Sequence, residues 1–385
     1  MCLTLTLLVG TTGSAVTATM TASAAGAAST PALDAAAHAF GARLPAGRVA
    51  PRVVVLDTTP ASVDLRRWAV APGNQGRLSS CVTWAIDYSM LGWYSRFSGR
   101  AGQPFAPMYT YSQINGGADG GSYPTSALYI AQTQGNDTRA DYTQGDYDWK
   151  DQPTAAERAN AAHFKIARYE TLFMGAKQAG SAALLRQALA SNHPVAIEMA
   201  VRAGFEQLGS ATAAVDTDTT SAVLGYHEVL ALGYDGSGLI VENSWGTGWA
   251  AGGYGRISWG VVQNDVWEAD TIDGFAPLTP PSTSAPVVTA LAAGATRSAT
   301  TVSYKASWTG TPGTSGAITR YDAWYQVDGG ALVAAPLASA GATSFTLTTK
   351  VGHTYRVAVQ AHAGTSAGGV RDGAPFVSAQ PGRAG

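Results

Sequence analysis

Apolar side chains recur at helical spacing from position 81 onward, as Val82, Ile86, Met90, Trp93 and Phe97. Gly99 follows as a stop signal. The pattern predicts a helix that starts near Cys81 and buries its apolar face. Pro124, Thr125 and Ser126 introduce a second helix over about 125–134, and Leu184, Leu185, Ala188 and Leu189 mark a third over 181–191. Pro194 ends that helix, and Val195 to Val201 reads as a strand. Shorter strand-like runs follow at 226–234, 238–243 and 254–259. Helices early and strands late predict an α+β fold with one helical lobe and one sheet lobe.

The patterning changes after Thr279-Pro280-Pro281-Ser282-Thr283-Ser284-Ala285-Pro286, so residues 279–286 read as a linker. Over 287–385, short alternating runs (Val302 to Trp308, Ile318 to Val327, Ser344 to Leu347, Tyr355 to Ala361) are separated by Gly-, Thr- and Ser-rich turns. They predict a β-sandwich. Trp308, the Tyr321-Asp322-Ala323-Trp324-Tyr325 run, and Leu347 eight residues before Tyr355 resemble a fibronectin type III module. That resemblance makes Tyr355 the tyrosine-corner residue.

At the other end, Leu3 to Val9 is a short apolar run, followed by the A-x-A-like Ala22-Ser23-Ala24 and Ala25-Gly26-Ala27. Residues 1–30 therefore read as a signal peptide and the protein as secreted, although the usual basic start is missing. Residues 31–60 read as a short leader, and Ser62-Val63-Asp64-Leu65-Arg66 opens a domain over 61–278. No later stretch reaches the roughly 18 apolar residues of a spanning helix. A net charge of -2, with only 13% charged residues, leaves no basic field for nucleic acid.

Cysteine is scarce. Cys2 lies in the leader, so Cys81 stands alone in the mature chain, as a free and reactive thiol or one paired between molecules. Asn74-Gln75-Gly76 precedes it. Far downstream come Gly225-Tyr226-His227-Glu228-Val229 and Val241-Glu242-Asn243-Ser244-Trp245-Gly246-Thr247-Gly248-Trp249. A glutamine six residues before a cysteine, a later histidine, and an asparagine sixteen residues after that histidine form one constellation, which resembles the papain-like cysteine peptidases. Cys81 and His227 are 146 residues apart, within the family's own range of roughly 130–150. The segment from His227 to Ile257, ending Gly252-Gly253-Tyr254-Gly255-Arg256-Ile257, carries the strongest likeness. The resemblance covers 62–275.

The resemblance implies a two-lobed papain-like fold, an extended peptide or protein substrate, and no cofactor. Cys81 is then the nucleophile, favoured as thiolate by a helix start and an imidazolium. His227 protonates the leaving amine, Asn243 holds its ring, and Gln75 donates to the oxyanion. Gly120 and Gly121, in Asp119-Gly120-Gly121, correspond to the stretch that pairs with substrate backbone, where glycine permits close approach. Trp245 covers the His227–Asn243 pair, and Trp249 walls the leaving-group side of the cleft.

Three departures stand beside the match. Val82 and Thr83 separate Cys81 from Trp84, where the family has tryptophan next to the nucleophile. The family's cysteines in this half are missing, with Leu78 in one place and Ala118 or Asp119 in the other, which removes a disulfide. The leader is too short for the long helical inhibitory propeptide of animal and plant members. The readings that follow are a secreted cysteine endopeptidase, a wall-peptide transpeptidase or amidase on the same fold, or a non-catalytic extracellular binding protein. The C-terminal module is a candidate binder of polysaccharide or protein. His38, His163, His193, His353 and His362 read as structural, and Glu198, Glu228 and Glu242 as solvated or paired. No His/Cys/Asp/Glu cluster has metal-ligand spacing.

Overall fold

The computed structural model describes residues 38–47, 49, 59–178, 180–211, 214–291, 300–364 and 366–379. Cys2 and the signal-peptide reading of 1–30 lie outside them.

Helices come first, as the apolar spacing requires. A continuous helical rod is α over Cys81–Thr83 (α1), π over Trp84–Met90 and α again over Leu91–Ser98 (α2). It ends at Gly99, whose φ of 71° closes the last turn in the left-handed region. The rod is buried through Ser95. Around it stand α3 (Pro107–Ile114) and α4 (Pro124–Thr133), each opened by a proline in its first turn, and α5 (Ala155–Ala161), opened by a Thr154/Glu157 capping box. Later helices are α6 (Ser181–Ala190), α7 (Ala203–Glu206) and α8 (Trp259–Asp265).

The sheet lobe is antiparallel throughout. Its strands are β1 (Val63–Asp64), β2 (Tyr169–Met174), β3 (Val195–Val201), β4 (Gly225–Tyr234), β5 (Gly238–Glu242), β6 (Tyr254–Ser258) and β7 (Val266–Ile272). They run in the order β2-β7-β3-β4-β5-β6, with β1 on β4. One core joins the two lobes: Cys81, Val82, Ile86 and Met90 of the rod pack with Ile197, Met199, Val229 and Leu230 of β3 and β4. That contact sets the start of the rod against the middle of the sheet.

The C-terminal part is all β. Its strands are β8 (Ser282–Thr283), β9 (Val287–Ala290), β10 (Thr301–Ser307), β11 (Gly310–Thr311), β12 (Arg320–Val327), β13 (Val333–Ala334), β14 (Ser344–Lys350), β15 (Thr354–Ala363), β16 (Ser366–Ala367), β17 (Arg371–Asp372) and β18 (Phe376–Val377). One sheet is β14-β10-β9, and the other is built on β13-β12-β15-β16. Inward residues of both, among them Ala306, Trp308, Phe345, Leu347, Tyr321 and Val357, share one core. Part of the Pro/Ser/Thr run that composition marks as a linker is ordered here, since Ser282–Thr283 pairs with Gly310–Thr311. Among the described residues no helix is long and apolar enough to cross a membrane.

Candidate active site

The first turn of the rod carries Cys81, fully buried. β4 carries His227, and the turn after β5 carries Asn243. Asn243 Oδ1 lies 2.8 Å from His227 Nε2 and also accepts the Ser244 backbone N–H at 2.7 Å. An amide oxygen is only an acceptor, so Nε2 carries the proton and Nδ1 is left bare. Nδ1 has no hydrogen-bond partner. Trp245 stacks on the imidazole at 4.7 Å and keeps water from the His227–Asn243 bond. Trp249 is buried behind it, its indole N–H donating to the Phe205 carbonyl at 3.2 Å.

Gln75 is locked from both ends. Its side-chain oxygen accepts the Ser244 hydroxyl at 2.6 Å, and its backbone N–H donates to the Ser244 carbonyl at 2.8 Å. Its Nε2 donates to the Leu78 carbonyl at 2.9 Å and to the Ala39 carbonyl at 3.1 Å. The structure thus links Gln75, Ser244, Asn243 and His227 in one hydrogen-bonded chain; Cys81 lies against the Glu228 backbone amide, next to His227, and makes no hydrogen bond to the His227 ring.

The Ala39 contact belongs to a longer one. Residues 38–43 run through the cleft. His38 stacks on Trp245 at 4.3 Å, and the Phe40 ring meets His227 edge-on. Gly41 accepts the Ser122 N–H at 2.8 Å, Ala42 donates to the Tyr226 carbonyl at 3.3 Å, and Arg43 donates to the Ser122 carbonyl at 3.0 Å. Arg43 Nε also donates to the Gly120 carbonyl at 2.7 Å. The fit is tight: a Cβ on Gly41 would stand 2.0 Å from the Ser79 carbonyl oxygen, and one on Gly121 would stand 2.2 Å from the Gly41 oxygen. Gly121 also has a φ of 82°, which favours glycine on its own account.

Burial sets the protonation states. Burial pushes the Cys81 thiol up to about 12, although the backbone amides of Glu228 and Gly41 at the sulfur pull the other way. Burial also brings His227 down to about 4, against the Asn243 hydrogen bond, which raises it. Both groups are neutral near pH 7 in this form.

Several residues differ from their sequence reading. His38 is part of the cleft contact and not merely structural. Glu198, Glu228 and Glu242 are buried rather than solvated. Glu242 accepts the Ser89 hydroxyl at 2.6 Å, whereas no hydrogen bond reaches the carboxyl oxygens of Glu198 or Glu228. Backbone pairing in the glycine stretch falls on Ser122, one residue beyond Gly121. No side-chain signal marks Ser122, because the contact uses only its backbone. Asp119 Oδ1 accepts the Ser79 N–H at 2.8 Å and the Tyr111 hydroxyl at 2.6 Å, tying the glycine loop to the nucleophile loop. Trp84, two residues late for the family, packs on Tyr88 and fills the space a Cβ on Gly73 would need.

The site therefore offers a buried thiol at a helix start, an asparagine-held histidine and a locked glutamine amide. Residues 108–270 match the model for papain family cysteine proteases, a span that holds His227 and Asn243 and begins after Cys81. Within those residues lies a papain-family cysteine protease domain, which makes the protein a peptide hydrolase. Among solved structures it is similar to xylellain, a cysteine protease from Xylella fastidiosa. That match has a TM-score of 0.53 and 17% identity, and covers 62% of this chain and 96% of that one. Procathepsin B S9 from Trypanosoma congolense matches at a TM-score of 0.49 and 17% identity over 62% of this chain and 86% of that one. The bromelain protease from Ananas comosus matches at 0.43 and 19% over 54% and 98%. The likeness to xylellain is one of fold.

Proposed function

We propose that the protein is a secreted cysteine endopeptidase acting through Cys81, and that the form described here is closed by its own residues 38–43. The convergence of Gln75, Cys81, His227 and Asn243, with the 2.8 Å His227–Asn243 contact at its centre, carries the reading. In the open form His227 Nδ1 takes the thiol proton, and Cys81 attacks the carbonyl of an extended peptide. The oxyanion is held by Gln75 Nε2 and the Cys81 backbone N–H. His227 then protonates the leaving amine, and water releases the acyl group from sulfur.

The covering segment occupies these groups without being a substrate. A substrate runs from the glycine stretch, on its acyl side, towards Trp249, on its leaving side. Residues 38–43 run the other way, from Trp245 at His38 to Ser122 at Ala42, and Ala42 bridges Ser122 in parallel. The Ala39 carbonyl stands at Gln75 in reversed chain direction, so its scissile bond is misplaced for attack. Among the described residues, 38–43 do the covering.

For the C-terminal module the proposal is a fibronectin type III-like domain. The Tyr355 hydroxyl accepts the Lys350 backbone N–H at 2.8 Å, in the manner of a tyrosine corner, and supports the reading.

The test uses the full chain with Gly41→Ala, incubated with a peptidyl epoxide or vinyl sulfone under reducing conditions and mapped by mass spectrometry. An adduct on Cys81 that disappears with His227→Ala is expected. A free, reduced Cys81 left unlabelled overturns the reading.

A further inference from the structure

Three glutamates form a row that starts at the thiol. Glu228 follows His227 in β4, the β3–β4 register sets it opposite Glu198, and the β3–β7 register sets Glu198 opposite Glu268. Directly paired residues share a sheet face, so three carboxyl groups from adjacent strands stand side by side. Asp270, two residues beyond Glu268 on β7, extends the row. All four are buried.

The row has no counter-charge. No hydrogen bond reaches the carboxyl oxygens of Glu198 or Glu228, Glu268 shares a hydrogen bond with Asp270, and the charged groups that act on these three are one another and Asp270. Burial and mutual repulsion therefore hold their protons on, with Glu198 pushed up to about 8. Buried carboxyl groups without partners are costly to a fold, and sequences seldom keep them unless something else completes them.

The place of the row says what that is. The Glu228 backbone amide lies at the Cys81 sulfur, and the Glu228 and Glu198 carboxyl groups are the charges felt there. The chain's own covering segment crosses the same sulfur with its Gly41 amide and supplies no cation there: Arg43 is engaged on the Gly120 carbonyl, and His38 is stacked on Trp245 with its pKa lowered by burial. The row therefore stands close enough to the Cys81 sulfur to act on whatever is bound there.

Resting on the peptidase reading above, we propose that Glu198, Glu228 and Glu268 form the specificity pocket of the cleft and select a lysine or arginine side chain of the substrate. An arginine brings five donors to the Glu198 and Glu228 oxygens, which have none, and one positive charge to carboxyl groups that cannot all ionise together. An acidic substrate side chain is rejected for the converse reason.

The test is a positional set of fluorogenic peptides, carrying Arg, Lys, Leu or Glu at each of the three positions before the scissile bond. They are given to the full chain with Gly41→Ala. The expected result is at least a tenfold higher kcat/KM for Arg or Lys over Leu at one position. Glu198→Gln and Glu268→Gln, each near-isosteric, should bring that ratio towards one. Should both variants fail to fold, the ranking in the parent chain decides alone. Cleavage with no basic preference, or a preference that survives both substitutions, overturns the pocket and leaves the peptidase reading intact. No cleavage of any peptide while Cys81 still takes an alkylating reagent overturns both.

Discussion

The side-chain amide of Gln75 donates to the carbonyl oxygen of Ala39 at 3.1 Å, so the group assigned to a substrate oxyanion is satisfied by the chain itself. Among the described residues the cleft is closed by backbone and side-chain hydrogen bonds and by three ring contacts of His38 and Phe40. Such a cover is small enough to be displaced by one substitution.

Gly41 is the residue to change. An added methyl group at this position meets the Ser79 backbone oxygen at 2.0 Å, a distance no rotamer relieves. Gly41→Ala should expel residues 38–43 and raise the rate of Cys81 alkylation by iodoacetamide at pH 7 at least tenfold, read by intact mass. An unchanged rate means that the segment does not guard the thiol.

The pH dependence of that alkylation should change as well. In the closed form burial holds the thiol near 12, so its reactivity should still be rising at pH 9–10. In Gly41→Ala, water reaches Cys81 and His227, and the desolvation that drives both shifts is relieved. The alkylation profile should then level off below pH 9. Superimposable profiles for the two chains contradict this.

Stability should fall as pH rises. Burial raises the folded-state pKa of Glu242 to about 7, against hydrogen bonds from Ser89 and Tyr254, and that of Glu198 to about 8. The folded state therefore holds protons that the unfolded state releases near 4.5. Their stabilisation is complete below that value and is lost as pH rises through 7 and 8. The melting temperature should drop between pH 5 and 8. Glu242→Gln, which keeps a partner for Ser89 and cannot ionise, should flatten that drop. A profile that rises over this range is the contrary result.

Much of the fold was legible because its signals are local. The rod from Cys81 to Ser98, the helices near 125 and 181, and the strands at 195, 226, 238 and 254 follow from apolar period and from Gly or Pro punctuation. The cysteine, histidine and asparagine were legible from their order and their neighbours. What the sequence hides is non-local. Residues 38–43 have no period, and their partners Ser122 and Tyr226 lie about 80 and 180 residues away, joined through backbone atoms. The glutamate row looks like ordinary surface charge until the β3–β4 and β3–β7 registers align it. Helices α3 and α5 are short, and were not distinguishable from the loops around them.

Asp119 should matter more than a surface acid. It ties the Ser79 amide and the Tyr111 hydroxyl, and so the glycine loop to the nucleophile loop. Asp119→Ala should cost roughly 1.5–3 kcal/mol, the range for a hydrogen bond to a charged group. It should also lower kcat/KM in the open chain, since the nucleophile loop loses its anchor. Urea denaturation and peptide hydrolysis measure the two effects. A neutral result in both would show that the contact is incidental.

The most direct measurement is hydrolysis of denatured casein by the full chain carrying Gly41→Ala under reducing conditions, beside the same chain with Cys81→Ala added. Cleavage that disappears with Cys81→Ala and with a thiol-alkylating reagent is the predicted result. Cleavage that persists without Cys81, or no cleavage while Cys81 is free, reduced and alkylatable, contradicts the account.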